Sequence, residues 1–320
     1  MKRIGVITSG GDAPGMNSAV RAVVRAAIAR GAEVLGFQHG WHGVINEEVS
    51  PLDTKSVGGI ISLGGTLLRS ARCQEFREEA GRVKAMGVLN KNGIEGLVVV
   101  GGDGSLTGAK KLLEEHSLPI MGIPGSIDND IPGTDYSIGF DTAVNTARDA
   151  IDKVRDTAYS HDRVFVIEVM GRNNGFIALE CALACGAEAV LLPEVPFSLM
   201  EICDSLKAQR AKGKLSSIVV VAEGAAKGTD VCDFIATHTK FEARAVVLGH
   251  MQRGGTPTAF DRVLALRLGA SAANRLISGF RGEMVGVESG RLVSHPLSYV
   301  LSQGKKIDPD KLRLVELMSS

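Results

Sequence analysis

Short apolar runs, mostly β-branched, recur at positions 4–8, 97–100, 120–123, 164–169, 189–192 and 218–222. Within these runs the apolar residues are close to continuous rather than alternating. That suits strands of a sheet covered on both faces. Between them lie stretches of helical character at 17–30, 106–115, 142–158, 199–212 and 262–278, the first of them Ala-rich and amphipathic. Strands alternating with helices predict βαβ units and mainly parallel sheets, an α/β protein. Ligands of such sheets bind at the loops beyond the carboxyl ends of the strands. The residues that follow each apolar run therefore carry the functional information.

The chain's 320 residues exceed the size at which one core usually stays single, so two domains are expected, although composition does not locate the boundary. No low-complexity segment or solenoid repeat is visible. Lys plus Arg and Asp plus Glu balance at 36 each, so no basic excess points to nucleic acid and no acidic excess to disorder. The five cysteines are odd in number and show no C-x-x-C spacing, which implies a reducing compartment. Cys181 and Cys185 fall in an apolar, Ala-rich run, as buried thiols do. The apolar run after Met1 ends at once in glycines, too short for a signal peptide. Nothing downstream approaches a membrane-spanning length, so a cytoplasmic location is expected.

The first run leads into Ser9-Gly-Gly-Asp-Ala-Pro-Gly-Met-Asn17 and then a helix. Glycines at such a turn let backbone N–H groups approach an anion, and the helix dipole adds to the attraction. The second run ends in Gly101-Gly-Asp-Gly-Ser105, with Asp103 inside a glycine loop. Asp103 there is either a helix cap or a carboxylate for Mg²⁺ on a nucleotide's phosphates. The third run ends in Pro124-Gly-Ser-Ile-Asp-Asn-Asp130. If that loop is extended, Asp128 and Asp130 point the same way. They are then either turn residues or a base and a metal-orienting carboxylate. Phosphoryl transfer needs little beyond positioning and charge neutralisation. Arg72, Arg163, Arg172, Arg244 and Arg253 are candidate phosphate binders, and His250 is a further donor.

Taken together, GGDAPGMN, SARC, GGDGS, PGSIDND, MGR and GHMQRGG resemble the bacterial ATP-dependent 6-phosphofructokinase family in order and spacing, over essentially the whole chain. The resemblance implies two Rossmann-like three-layer α/β/α domains. One would bind ATP and comprise 1–139 with 252–302. The other would bind fructose 6-phosphate and comprise 140–251 with 303–320. It implies Mg²⁺-assisted transfer of the γ-phosphoryl of ATP to the sugar 1-hydroxyl, in a homotetramer whose subunits share active sites.

By the same resemblance, Asp128 would be the base, and Arg72 and Arg172 would stabilise the transferring phosphoryl. Gly11, Arg72, Cys73, Gly102, Asp103, Gly104, Ser105 and Gly108 would hold ATP, with Asp103 and Asp130 at the metal. Ser126, Ile127, Met170, Gly171, Glu223, His250, Met251, Gln252 and Arg253 would line the sugar-phosphate site, and Arg163 and Arg244 would reach the 6-phosphate from an adjacent subunit. Arg21, Arg25, Arg155, Gly186, Glu188 and Lys214 match an effector site for ADP and phosphoenolpyruvate, with Lys212 standing where Arg is common. Thr54, Lys55 and Gly59 depart from the usual residues there, so a site with an altered or weak response is expected.

Ser126 replaces the usual Thr, and Trp41 a common Tyr. Pyrophosphate-using relatives carry Asp and Lys at the positions of Gly104 and Gly125, so glycine at both favours ATP. A pyrophosphate-dependent enzyme, a kinase for another ketose phosphate and a non-catalytic sensor are the rival readings. The sensor is disfavoured because Asp103, Asp128, Asp130, Arg72 and Arg172 are all present.

Overall fold

The computed structural model describes residues 1–319. Ser320, the last residue of the expected second domain, lies outside the described residues. In chain order the elements are β1 (Arg3–Ser9), α1 (Met16–Ala29), β2 (Glu33–Phe37), α2 (Trp41–Ile45), β3 (Val49–Leu52), α3 (Glu79–Lys91), β4 (Gly96–Gly101), α4 (Asp103–His116), β5 (Ile120–Pro124) and α5 (Phe140–His161). They continue with β6 (Val164–Val169), α6 (Phe176–Cys185), β7 (Ala189–Leu191), α7 (Leu199–Ala211), β8 (Ser217–Ala222), α8 (Gly228–Thr239), β9 (Ala243–Val247), α9 (Ala259–Ile277), β10 (Glu283–Glu288), β11 (Arg291–Pro296), α10 (Leu297–Val300) and α11 (Pro309–Ser319). No helix among the described residues is long and apolar enough to cross a membrane.

The chain divides into two units. The first comprises Met1–Ile127, Ile131–Thr142 and Arg253–Lys305; the second comprises Asp128–Asp130, Ala143–Gln252 and the described residues from Lys306 onward. The first unit holds a seven-stranded sheet in the order β11-β10-β5-β4-β1-β2-β3. Its centre is parallel, and its edge strands β3 and β11 run antiparallel to their neighbours. The second unit holds a four-stranded parallel sheet in the order β7-β8-β6-β9. The α/β class with mainly parallel sheets is as expected.

Strands β4, β5 and β8 are buried along their whole length. Burying each Val or Ile in them contributes about 1.5–3 kcal/mol, which is why continuous apolar runs become central strands. One core in the first unit gathers Ile7, Phe37, Leu97, Val99, Leu106 and Ile120; another in the second gathers Val166, Leu206, Val219 and Ile235. All five cysteines are free thiols. Burial pushes the Cys185 thiol up to about 11 and Cys181 higher still, so both act as packing groups.

Two local expectations change. The fourth helix begins at Asp103 rather than at 106, so Asp103, Gly104 and Ser105 form its first turn instead of a preceding loop. The Ala-rich run around the paired cysteines is itself a helix, α6, apolar on nearly every face and therefore without a helical period to read.

Asp261 in the first turn of α9 is fully buried. Burial, the largest effect, pushes its carboxyl up to about 6, and the neighbouring Asp141 carboxylate pushes the same way; hydrogen bonds from Thr142 and Gly139 pull back. A folded-state value above the unfolded one means that the protonated group stabilises the fold below about pH 4. That contribution is lost as pH rises through about 6, a loss of about 2–3 kcal/mol. Urea unfolding of the protein and of Asp261→Asn should therefore show the wild type losing that much stability relative to the variant between pH 4 and 7. A difference that stays flat across that range would contradict the assignment.

Candidate active site

Backbone register aligns the three glycine-bearing segments of the first unit. β1 and β4 pair Ser9 with Gly101, and β4 and β5 pair Gly101 with Pro124. The loop Gly10–Gly15, the helical turn Gly102–Ser105 and the loop Gly125–Ser126 therefore leave the sheet side by side at its carboxyl edge. Ser105 Oγ lies beneath two of them: a Cβ added at Gly10 would sit 3.0 Å from it and one at Gly101 2.9 Å from it. Gly125 N–H donates to Gly101 O at 3.1 Å, tying the third segment to the second.

A side chain at Gly11 would displace the Arg253 guanidinium. A Cβ there would lie 2.5 Å from Arg253 Nη1, which donates to Asp12 O at 3.2 Å. The Arg253 guanidinium thus lies directly against the first glycine loop. Asp103 opens α4 with an exposed carboxylate that pairs with no cation among the described residues. The positive end of the helix dipole lies at the same place. Arg72 is exposed and likewise without an ion-pair partner among the described residues, and Cys73 packs at the edge of the core. Gly108 faces an aromatic floor: Trp41 and Phe76 stack with ring centroids 4.0 Å apart, and a Cβ on Gly108 would come within 2.9 Å of Phe76. Trp41 Nε1 is buried there with no hydrogen-bond partner.

Gly104 and Gly125, paired in the donor argument, differ. Added at Gly104, a Cβ meets nothing within 4 Å; added at Gly125, it falls 2.9 Å from Met16 Cε and 3.3 Å from Val100. A side chain at 125 would have to displace the Met16 terminal methyl, whereas Gly104 is open, so Gly104 carries the plainer steric case for ATP.

In the second unit Asp128 is 4% exposed, and Arg172 Nε lies 3.9 Å from its Oδ2. The extended geometry expected for Asp128 and Asp130 does not occur. Asn129 between them is left-handed, with φ 53°, so the alternation of an extended chain is broken there. Asp130 is less buried and accepts from Asn174 Nδ2 at 3.4 Å. Arg172 also has a left-handed backbone, φ 54°, an uncommon conformation for a residue with a long side chain. It is held by Glu223, whose Oε1 accepts from Arg172 N–H at 2.8 Å and Gly171 N–H at 3.2 Å. Gln252, fully buried, accepts from Met170 N–H at 2.8 Å. The Met170–Gly171–Arg172 turn is thus fixed at each of its three amides, while His250 and Met251 are exposed beside Gln252.

Arg163 and Arg244 converge on Glu242. Its Oε1 lies 2.9 Å from Arg163 Nε and 2.7 Å from Arg244 Nη2, and Arg163 holds the Glu242 carboxyl below its ordinary range. Of the residues matched to an effector site, Lys214 pairs with buried Glu188 at 2.7 Å. Arg155 donates to the carbonyls of Cys185 and Gly186 at the negative end of α6. Lys212 ends α7 and is exposed. In the first unit, Arg21 donates to Val57 O at 2.6 Å, Arg25 is exposed, and Thr54 and Lys55 lie in a turn closed by Asp53.

Reading the sequence passed over Phe76, Asn174 and Glu242. Asn174 follows MGR by one residue in Met-Gly-Arg-Asn-Asn-Gly, a signal that was there to use. Phe76 and Glu242 gain their places only through the fold.

Each unit offers groups suited to phosphate: the exposed Asp103 and Arg72 beside glycine turns at strand ends in the first, and Asp128 beside Arg172 in the second. No group of three metal-ligating side chains occurs among the described residues. The exposed Asp103 carboxylate fits Mg²⁺ when phosphate oxygens and water complete its shell, because Mg²⁺ is usually held by one or two carboxylates.

A family model described as phosphofructokinase matches residues 3–276. The ATP-dependent 6-phosphofructokinase of Halalkalibacterium halodurans is 54% identical over 319 residues, covering 100% of both chains. The phosphofructokinase structure from Saccharomyces cerevisiae superposes with a TM-score of 0.88 at 37% identity over 94% of this chain, which spans 45% of the yeast chain. A pyrophosphate-dependent phosphofructokinase structure from Marinobacter aquaeolei shares the fold, with a TM-score of 0.85 at 22% identity over 100% of this chain and 91% of that one. The chain belongs to the phosphofructokinase family.

Proposed function

We propose that the protein is an ATP-dependent 6-phosphofructokinase that transfers the γ-phosphoryl of ATP to the 1-hydroxyl of fructose 6-phosphate, releasing ADP and fructose 1,6-bisphosphate. The observation that carries this reading is the buried Asp128 beside the Arg172 guanidinium, in a chain whose full-length relative bears that activity.

Asp128 accepts the proton of the 1-hydroxyl as its oxygen attacks phosphorus. Arg172 and Arg72 balance the charge on the transferring group and the leaving diphosphate. Preorganised charge of this kind supplies most of the catalysis in phosphoryl transfer. Gly11, Cys73, the Gly102–Ser105 turn and Gly108 hold ATP, with the adenine against Trp41 and Phe76. Asp103 and Asp130 serve Mg²⁺, which supplies charge neutralisation on the phosphates when bound. Ser126, Ile127, Met170, Gly171, Glu223, His250, Met251, Gln252 and Arg253 bind the sugar phosphate.

The first unit is the nucleotide domain and the second the sugar-phosphate domain. The enzyme is cytoplasmic and tetrameric, with Arg163 and Arg244 meeting the 6-phosphate of a neighbouring subunit. ADP and phosphoenolpyruvate act weakly through Arg21, Arg25, Arg155, Gly186, Glu188, Lys212 and Lys214. Lys214 is already neutralised by Glu188, and Thr54 stands where an arginine is usual.

Incubation with fructose 6-phosphate, ATP and Mg²⁺ should yield fructose 1,6-bisphosphate, and a chelator should abolish the product. No product with Mg²⁺ present would refute the reading.

A further inference from the structure

Asp261 is fully buried, yet no step of the proposed reaction uses it. Its carboxylate accepts from three donors: Gly139 N–H at 2.9 Å on Oδ1, and Thr142 N–H at 2.8 Å and Thr142 Oγ at 2.6 Å on Oδ2. A carboxylate taken out of water is costly unless its lone pairs are used, and here they fix one short backbone segment.

That segment is the surface against which Pro124–Ser126 is set. Ile138 N–H donates to Pro124 O at 2.9 Å, and Ser126 N–H donates to Ile138 O at 3.1 Å. Together they form a single parallel bridge between Gly125 and Ile138, outside any strand. Ser137 Oγ adds a bond to Ser126 O at 2.6 Å. The same segment packs on the first glycine loop, since Gly139, with φ +102°, has room for a Cβ only 2.6 Å from Ala13 Cβ. A Cβ on Gly15 would meet Ile138 at 2.8 Å and Asp261 Cβ at 3.5 Å. Every one of these groups belongs to the first unit, and the chain passes from Ile127 directly into Asp128.

We infer that Asp261 is a positioning residue for phosphoryl transfer: it anchors residues 137–142, and that segment sets the Pro124–Ile127 stretch that delivers Asp128. Asp261 touches neither substrate. The inference rests on the reading of Asp128 as the base.

Asp261→Asn preserves size but puts an N–H₂ group where an acceptor is needed, so either Gly139 or Thr142 loses its partner. The expected result is a fall in kcat of about 10- to 100-fold, because a small misplacement of a catalytic group costs that much, with KM for both substrates within about threefold. Hydrogen exchange at the Ile138 and Ser126 amides should quicken relative to amides of β4. A purely structural role would lower the melting temperature while leaving kcat per folded molecule intact, and that result overturns the inference.

If the Asn variant does not fold, Ser137→Ala cuts the same relay at its far end. A lower kcat at unchanged KM is expected there, and an unchanged kcat overturns the relay. Asp128→Ser measured alongside separates the two claims. A large loss there with a wild-type Asp261→Asn sinks only the relay. A near-wild-type Asp128→Ser sinks the base assignment and this inference with it.

Discussion

Asp128→Ser should lower kcat by about 10³- to 10⁴-fold while changing KM for either substrate only a few-fold. General-base catalysis alone is worth about 10²–10⁴ in rate. The charge beside Arg172 is lost as well, which places the effect toward the upper end. A 10³-fold loss corresponds to about 4 kcal/mol of transition-state stabilisation. The ground state should be little affected, because Asp128 is 4% exposed and Arg172, 3.9 Å from it, keeps the backbone bond to Glu223 that fixes its turn. Steady-state rates and equilibrium binding of fructose 6-phosphate test both halves. A variant within tenfold of wild type in kcat would remove Asp128 from the chemistry. A variant that loses binding as much as rate would make it a ligand rather than a base.

Gly104→Asp should abolish efficient use of ATP without harming the fold. Gly104 is exposed, lies in the first turn of α4, and has nothing within 4 Å of an added Cβ. Asp is itself a weak helix former, so replacing the glycine gains only about 0.3 kcal/mol of propensity, and a carboxylate near the positive end of the dipole adds about 0.3–1 kcal/mol. Thermal stability should therefore hold or rise. The same carboxylate would stand next to Asp103, where a polyanionic nucleotide has to approach. Opposing like charges cost several kcal/mol, so kcat/KM for ATP should fall about 100-fold or more. Stability and activity moving in opposite directions is the signature to look for. Unchanged ATP kinetics would mean that the nucleotide does not pass Gly104. Gly125→Lys is a less clean test, because its first carbon would have to displace the Met16 terminal methyl.

The central parallel strands could be read from the chain because they are apolar without interruption. The strands that escaped notice, β2, β3, β9, β10 and β11, lie at a sheet edge or next to one. β9 alternates buried Ala243 with exposed Arg244 and ends in a 55% exposed Val247; β11 is an antiparallel edge ending in Pro296. Neither offers the continuous run that marks a strand covered on both faces. α6 escaped for the opposite reason, since a helix that is apolar on nearly every side has no period. Asp103 and Gly104 are poor helix formers, so α4 seemed to begin three residues late.

For the candidate site, the residue types were legible and their geometry was not. An Asn between two aspartates hints at a left-handed backbone, but only the fold reveals that it breaks the extended pair. The alignment of Ser9, Gly101 and Pro124 follows from strand register. The approach of Arg253 to Gly11 joins residues 241 and 242 positions from Asp12 and Gly11, a distance no local pattern spans.

The most direct test of the central claim is the initial rate of fructose 1,6-bisphosphate formation by the wild-type protein, with ATP and with pyrophosphate as separate donors under saturating fructose 6-phosphate and Mg²⁺. A rapid rate with ATP and none above background with pyrophosphate is the expected result. A rate with pyrophosphate that equals or exceeds the ATP rate would contradict both the donor and the role given to Gly104.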